Sequence, residues 1–404
     1  MSFFRKNQIV SNDPAKIREF LTRGVERVFP NEEFLEKALV GGKRLKFFLG
    51  IDPTGPTLHI GHMIPLLKLR QFQELGHEVV LLIGDFTATI GDPDKMTARV
   101  PLTHEQVLKN ARWYKDQVSK VLNFSGSNPA KLLYNASWLG KLSLTDVIKI
   151  LSHVTHSQIV KRDMFQKRIE EGKDLYMNEL MYPILQGYDS VAMEVDGEVG
   201  GNDQTFNMLV GRDLVKSLQK REKFVVAMKL LADPSGKKMG KTEGNMVALS
   251  DTPTDVFGKV MSWPDGQILL GFELCTRVAQ SEIETVKSAL ERGENPKNLK
   301  LQLAEEITAL IHGKEKAVQA RKDFDATFSE GKPQEFVSIS LSGRETAEVL
   351  IEKGIISSKT DLRRLIGEGA VTNLDTDTKV GEDFLKSAPP GKYRIGKHRF
   401  IEIK

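Results

Sequence analysis

Two short apolar runs, LKFFLGID at 45–52 and HEVVLLIG at 77–84, bracket the helical pattern IPLLKLRQFQELG, and that order leaves few folds open. A strand, a helix and a second strand in succession make a βαβ unit with its strands parallel, so the sequence predicts an α/β class built on a Rossmann-like parallel sheet. Ligands of such sheets bind beyond the carboxyl ends of the strands, which is where the chain places GIDPTGPTLHIGHMIPL, residues 50–66. His59 and His62 fall on the turn that opens the helix, where free backbone N–H groups and the helix dipole attract anions. Gly61 allows close backbone approach, and Asp52 and Thr54 sit on the turn before it. His59, His62 and Gly61 are therefore candidates for binding a phosphate. The plainer reading of the histidines is a pair of capping or core side chains.

Residues from about 104 to 192 are mostly helical in pattern, with Thr103 or His104 near a plausible cap, and read as a helical insertion. The apolar stretch FVVAMKLL (224–231) leads into the polar loop ADPSGKKMGKTEGN, after which helical sequence runs to about 328. SEGKPQE (329–335) reads as a linker, and the remainder alternates short strands, helices and turn signals as a small α+β unit. The predicted divisions are 1–230, a Rossmann-like domain with helical insertion; 231–330, the lysine loop and a helical domain; and 337–404. No run approaches the ~18 apolar residues of a membrane span, and the first residues lack the pattern of a leader, so a cytoplasmic protein without a membrane partner is expected. Cys275 is the single cysteine, which excludes an intrachain disulfide and a cysteine zinc cage and suits a small core residue. A net charge of +4 is compatible with a polyanionic partner but demonstrates none.

Lys238 and Lys241 lie three apart beside Gly240 and Gly244, able to fold over a triphosphate, although the spacing of a P-loop is absent. Tyr182, Gln186 and Asp189 are spaced i, i+4, i+7 and share one face of any helix over 178–192. Such a face is too polar for an ordinary core. Lys359, Arg363 and Arg364 fall within one and a half helical turns and can reach adjacent phosphates, or else decorate a charged helix.

HIGH at 59–62, KMGKT at 238–242, IGDFTATIGDP, NASWL, YPILQGYD and GGNDQTFNMLVGRD together resemble the bacterial tyrosyl-tRNA synthetases, class I aminoacyl-tRNA synthetases of the type that carries an S4 domain. KMGKT departs from the family's KMSKS at Gly240 and Thr242, and HxGH alone also occurs in nucleotidylyltransferases. The resemblance implies that L-tyrosine is activated by ATP to tyrosyl-adenylate and pyrophosphate, then passed to the 3′ end of tRNA(Tyr), with a homodimer as the working form. It implies His59, His62, Lys238 and Lys241 as catalytic groups, joined by Lys95 and Arg99 of a basic loop that touches pyrophosphate. ATP is met by Asp52, Thr54, Gly61, His62, Gly201, Asp203 at the ribose, and Lys241. Mg²⁺ arrives on the ATP phosphates, with no metal site of the protein's own. By the same resemblance Tyr182, Gln186 and Asp92 surround the substrate ammonium, Asp189 accepts from the phenol hydroxyl, and Thr87, Asn135 and Gln204 line the same pocket.

An aspartate awaiting a hydroxyl rejects phenylalanine because its buried acceptor would go unpaired, and this family is itself the standing example of such rejection. Phe48 occupies a position where the family often has a second hydroxyl-binding tyrosine. GIISSKTDLRRLIGEGAVTNL resembles an S4 RNA-binding domain and makes Lys359, Arg363 and Arg364 the RNA-contacting candidates. Two rivals remain in view: a tryptophanyl-type or free nucleotidylyltransferase, which Asp189 and the S4-like tail oppose, and an RNA-binding protein with a dead site, which two complete signatures oppose.

Overall fold

The computed structural model describes residues 10–93, 101–232, 246–329, 336–356, 358–396 and 399–404. The chain divides into two units, Met1–Val318 and Gln319–Lys404. The first is built on a six-stranded sheet of β1 (Val25–Phe29), β2 (Lys46–Ile51), β3 (Glu78–Ile83), β4 (Lys131–Tyr134), β5 (Gly197–Gly201) and β6 (Phe224–Met228). Its order is β1-β6-β5-β2-β3-β4. β2 pairs in parallel with β3 and β5, while β1 alone runs antiparallel, against β6. EVVLLI in β3 and FVVAM in β6 are almost wholly buried, as strands covered on both faces must be.

The βαβ unit over 45–84 is present with its helix at Ile60–Glu74. Three of the six strands were not legible, among them β5, which is central and buried but whose sequence, GEVGG, has a single apolar side chain and so shows no apolar run. β1 and β4 are the sheet's edges, short and half exposed, so VERVF and KLLY carry too little apolar alternation to stand out, and β4 interrupts the stretch expected to be helical. From β2 the chain winds outward through β3 to β4, then returns to build β5 and β6 on the other side. The crevice between the carboxyl ends of β2 and β5 is thus the topological switch point, and both the 52–59 loop and the Gly200-Gly201 turn open into it.

Helices Met177–Ala192 and Thr205–Gln219 make the closest helix pair of the unit. A Cβ on Gly187 would stand 2.9 Å from the Gly211 amide, so glycine at 187 is what permits the approach. After the lysine loop the expected helical run is found as five helices, from Pro253–Met261 to Lys314–Ser329, and Cys275 is buried among them. No helix among the described residues is long and apolar enough to cross a membrane.

Helix Ile60–Glu74 is buried on two sides, and this traps Lys68 at 2 % exposure with its Nζ donating to the Phe20 carbonyl at 2.6 Å. Burial pulls the Lys68 ammonium down to about 7. The unfolded chain therefore holds a proton, between about pH 7 and the ordinary lysine range, that the folded chain does not. Stability should rise with pH through that window, by about 1.4 kcal/mol per unit. In Lys68→Met the rise should flatten, and the variant should gain on the parent most below pH 7. Thermal unfolding of both proteins between pH 6 and 9 checks this; parallel curves would mean that Lys68 keeps its proton in the folded chain throughout that range.

The second unit has a five-stranded sheet of β7 (Val337–Ile339), β8 (Val371–Asn373), β9 (Thr378–Lys379), β10 (Gly391–Ile395) and β11 (Arg399–Ile403), ordered β7-β11-β10-β8-β9. Helices Thr346–Glu352 and Lys359–Gly367 pack on it around Leu350, Leu362, Tyr393, Ile395 and Ile401. This is the α+β pattern expected for 337–404.

Candidate active site

His59 stands at the N-cap of helix Ile60–Glu74 in extended conformation. Its Nδ1 accepts from the Gly61 amide at 3.1 Å, and His62 Nδ1 accepts in return from the His59 amide at 3.2 Å. The two rings lie 4.0 Å apart between centroids. The capping reading thus holds: Nδ1 of each ring serves the backbone at the helix start. The preceding loop is held from the insertion, where Tyr114 donates to the Gly55 carbonyl at 2.6 Å, and Gln117 donates to Pro56 O and accepts from Leu58 N. Downstream of the lysine loop, the Ile60 amide donates to Val247 O and Ala248 bridges to His59, so the chain leaving that loop is strapped to the histidines. Lys238 and Lys241, like Lys95 and Arg99, lie outside the described residues.

A cavity of about 290 Å³ opens at the switch point. It is lined by His59, Gly61, His62, Asp52 and Thr54 toward the helix start, by Gly201, Asp203 and Gln204 from the turn after β5, and by Thr87, Asp92, Asn135, Tyr182, Gln186 and Asp189 at its other end. Every described candidate for ATP and tyrosine is thereby brought to one hollow. A larger one, about 430 Å³, lies behind helix Ile60–Glu74; the Arg23 guanidinium on its wall is occupied by the carbonyls of Phe272, Glu273 and Thr276.

Tyr182, Gln186 and Asp189 do share the cavity face of helix Met177–Ala192, as their spacing predicts. Asp189 is buried, with Oδ1 accepting from Trp138 Nε1 at 2.8 Å and Oδ2 from Asn135 Nδ2 at 3.1 Å. Burial raises its carboxyl well above the usual range, and those two donors work against the rise. Tyr182 donates to Asp52 Oδ2 at 2.8 Å, and Thr87 donates to Asp52 Oδ1 at 2.7 Å. Asp52, expected on the nucleotide side, is therefore bonded to two residues expected on the amino-acid side. A Cβ on Gly84 would fall 1.9 Å from Asp52 Oδ1, so glycine there makes room for the carboxylate. Burial is the first cause of a Tyr182 phenol held well above its ordinary range, and Asp52 adds to it.

Phe48 is fully buried against Val80, Leu82, Met193 and Val195. Beside it Lys223 donates to Glu198, a buried pair under the cavity wall, with the Lys223 Nζ 5.6 Å from the Phe48 ring centroid. Further round, Asn207 donates to both Gln186 Oε1 (2.9 Å) and Gln204 Oε1 (3.0 Å), and Gln204 donates to Asp92 Oδ2 at 2.8 Å. The chain Gln186–Asn207–Gln204–Asp92 fixes which way each amide points. Asn207, Trp138, Tyr114 and Gln117 were missed in the sequence. Trp138 lies inside NASWL and Asn207 one helical turn after Gln204, so both carried a local signal; Tyr114 and Gln117 carried none.

In the second unit, Ser358 caps helix Lys359–Gly367 by accepting from the Asp361 amide at 3.1 Å. Lys359 pairs with Glu345 and Glu348, and Arg364 with Asp361 and Glu368, all on the surface. Arg363 is exposed. Exposed pairs of this kind contribute little and exchange readily for a phosphate.

The family described as tRNA synthetases class I (W and Y) matches residues 41–329. A tyrosine–tRNA ligase of Carboxydothermus hydrogenoformans is 40 % identical over 402 residues, covering 95 % of this chain and 97 % of that protein. The tyrosine–tRNA ligase 2 of Vibrio cholerae is 40 % identical over 389 residues with the same coverage. Among solved structures, a C-terminally truncated mitochondrial tyrosyl-tRNA synthetase of Coccidioides posadasii superposes with a TM-score of 0.64 at 26 % identity, over 79 % of this chain and 92 % of that one. The corresponding protein of Aspergillus nidulans gives 0.68 at 20 % identity, over 78 % and 94 %, a likeness of fold.

Proposed function

Because the chain belongs to the class I tRNA synthetases of the tryptophan and tyrosine group, we propose that the cavity at its switch point activates L-tyrosine with ATP and that the protein is a tyrosine–tRNA ligase. The tyrosine carboxylate attacks the α-phosphorus in line, the bond to the β-phosphate oxygen breaks, and pyrophosphate leaves. The 3′-terminal hydroxyl of tRNA(Tyr) then takes the tyrosyl group and AMP departs. No enzyme nucleophile is required, so the work is alignment and stabilisation of charge on the phosphoryl oxygens. We assign that to His59 and His62 with Lys238 and Lys241, supported by Lys95 and Arg99 at the pyrophosphate. Thr54, Gly61, Gly201 and Asp203 seat the nucleotide, and Mg²⁺ enters on its phosphates.

Asp92, Gln186, Tyr182 and Asp52 face the ammonium, with Asp52 serving both substrates through its bond to Tyr182. Thr87, Asn135 and Gln204 hold these groups in place. Residues 1–230 form the catalytic sheet with its insertion, 231–330 the signature loop and helices, and 337–404 an S4-type unit in which Lys359, Arg363 and Arg364 meet tRNA backbone. The insertion leaves Leu144 and Ile148, one turn apart, 75 % and 58 % exposed, and Met177 76 % exposed. These side chains are candidates for the interface of the homodimer that the family resemblance implies. The expected compartment is the cytoplasm.

The observation that carries tyrosine is Asp189, a buried carboxylate on the cavity wall with both oxygens oriented by Trp138 and Asn135. Amino-acid-dependent ATP–pyrophosphate exchange across all twenty amino acids tests the assignment; exchange driven best by tryptophan, or by none, would sink it. Asp189→Asn sharpens the test. An amide at 189 keeps the volume but must turn its NH₂ toward one of two existing N–H donors. Tyrosine should lose more kcat/KM than phenylalanine, so the ratio between them should narrow, on the order of tenfold or more. An unchanged ratio in a folded variant would remove Asp189 from the hydroxyl.

A further inference from the structure

Asp92 is held from a direction that no motif indicates. Arg162, at the N-cap of helix Asp163–Glu170 in the insertion, places Nη2 2.7 Å from Asp92 Oδ1, and both side chains are close to nine-tenths buried. Arg162 makes no side-chain capping bond to its own helix and lies over the face of Phe165, 5.6 Å from the ring centroid. The two charges are close but their hydrogens are not aligned, so Asp92 Oδ1 and Arg162 Nη1 are both buried without a hydrogen-bond partner. A pair kept for stability would close those bonds, since each buried orphan costs about 1–3 kcal/mol. Oδ2, by contrast, is fully engaged by Gln204. Oδ1 is the oxygen left with a lone pair for an incoming donor.

We propose that Arg162 is a positioning residue for the amino acid: it fixes the Asp92 carboxylate by charge while leaving Oδ1 to accept from the substrate ammonium. The inference rests on the tyrosine reading above. It brings a second helix of the insertion into substrate binding, because the residue that orients the ammonium acceptor lies outside the helix that carries Tyr182, Gln186 and Asp189.

The test is equilibrium binding of three ligands to the full chain: L-tyrosine, tyrosinol, which keeps the ammonium and lacks the carboxylate, and 3-(4-hydroxyphenyl)propionate, which keeps the carboxylate and lacks the ammonium. In Arg162→Met, tyrosine and tyrosinol should each bind roughly tenfold more weakly, the size of one hydrogen bond to a charged group, and the propionate should be unchanged. Arg162→Lys restores a cation within reach and should recover most of the loss. If Arg162→Met does not fold, Arg162→Gln, polar and uncharged, carries the same comparison. Equal weakening of all three ligands, weakening confined to tyrosine and the propionate, or no change would each overturn the proposal. A parent protein that binds none of the three overturns the tyrosine reading as well, which separates the two failures.

Discussion

Replacing His59 or His62 with alanine should slow formation of tyrosyl-adenylate by ~10²-fold or more while leaving tyrosine affinity near that of the parent. The asymmetry follows from where charge develops: on the proposed reading the imidazoles at the helix start meet phosphate oxygens, and those oxygens gain charge only as the bond to pyrophosphate breaks. The geometry adds a complication that alanine alone would hide. Each ring also serves the backbone through Nδ1, so each alanine removes part of a reciprocal cap, for which about 1 kcal/mol of stability is the usual scale. His59→Asn separates the two effects, because an amide oxygen can still accept from the Gly61 amide. Pre-steady-state activation measured beside tyrosine binding, for all three variants, decides the matter. Equal loss of rate and of tyrosine affinity would reassign the pair to the fold or to the amino-acid pocket.

Removal of residues 337–404 should abolish efficient charging of tRNA(Tyr) and leave pyrophosphate exchange largely intact. The core of the second unit is its own: Ile339, Leu350, Leu362, Tyr393, Ile395 and Ile401 pack with one another, so their removal opens no core in the catalytic unit. All groups assigned to adenylate formation precede residue 245. A truncated chain that is folded but cannot make adenylate would place the tail inside the catalytic machinery. One that charges tRNA at the parental rate would remove Lys359, Arg363 and Arg364 from tRNA binding.

The parts of the site legible in the sequence are those whose geometry is local. His59 and His62 on a helix start, and Tyr182, Gln186 and Asp189 on one helix face, depend only on 3.6-residue periodicity and a cap. The strands that could be read, β2, β3 and β6, lie inside the sheet, are largely buried and carry apolar runs, whereas β5, equally buried, escapes because GEVGG has a single apolar side chain. The edge strands β1 and β4 escape because an edge is not required to be apolar.

What the sequence by itself determined is the βαβ start, the placing of the HIGH turn at the mouth of a parallel sheet, the polar face of the 177–192 helix and the separate α+β tail, since each follows from backbone periodicity within a few turns of chain. Tertiary structure alone decided that Asp52 bonds Tyr182 and Thr87, that Trp138 and Asn135 grip Asp189, that Asn207 ties Gln186 to Gln204, and that Arg162 reaches Asp92. These contacts join residues brought together by the sheet order and by the path of the insertion, neither of which is written in local propensity. Burial is likewise a property of the assembled fold, and it is burial that lifts the Asp189 carboxyl and lowers the Lys68 ammonium, by withdrawing water from a charge that the sequence shows only as a letter.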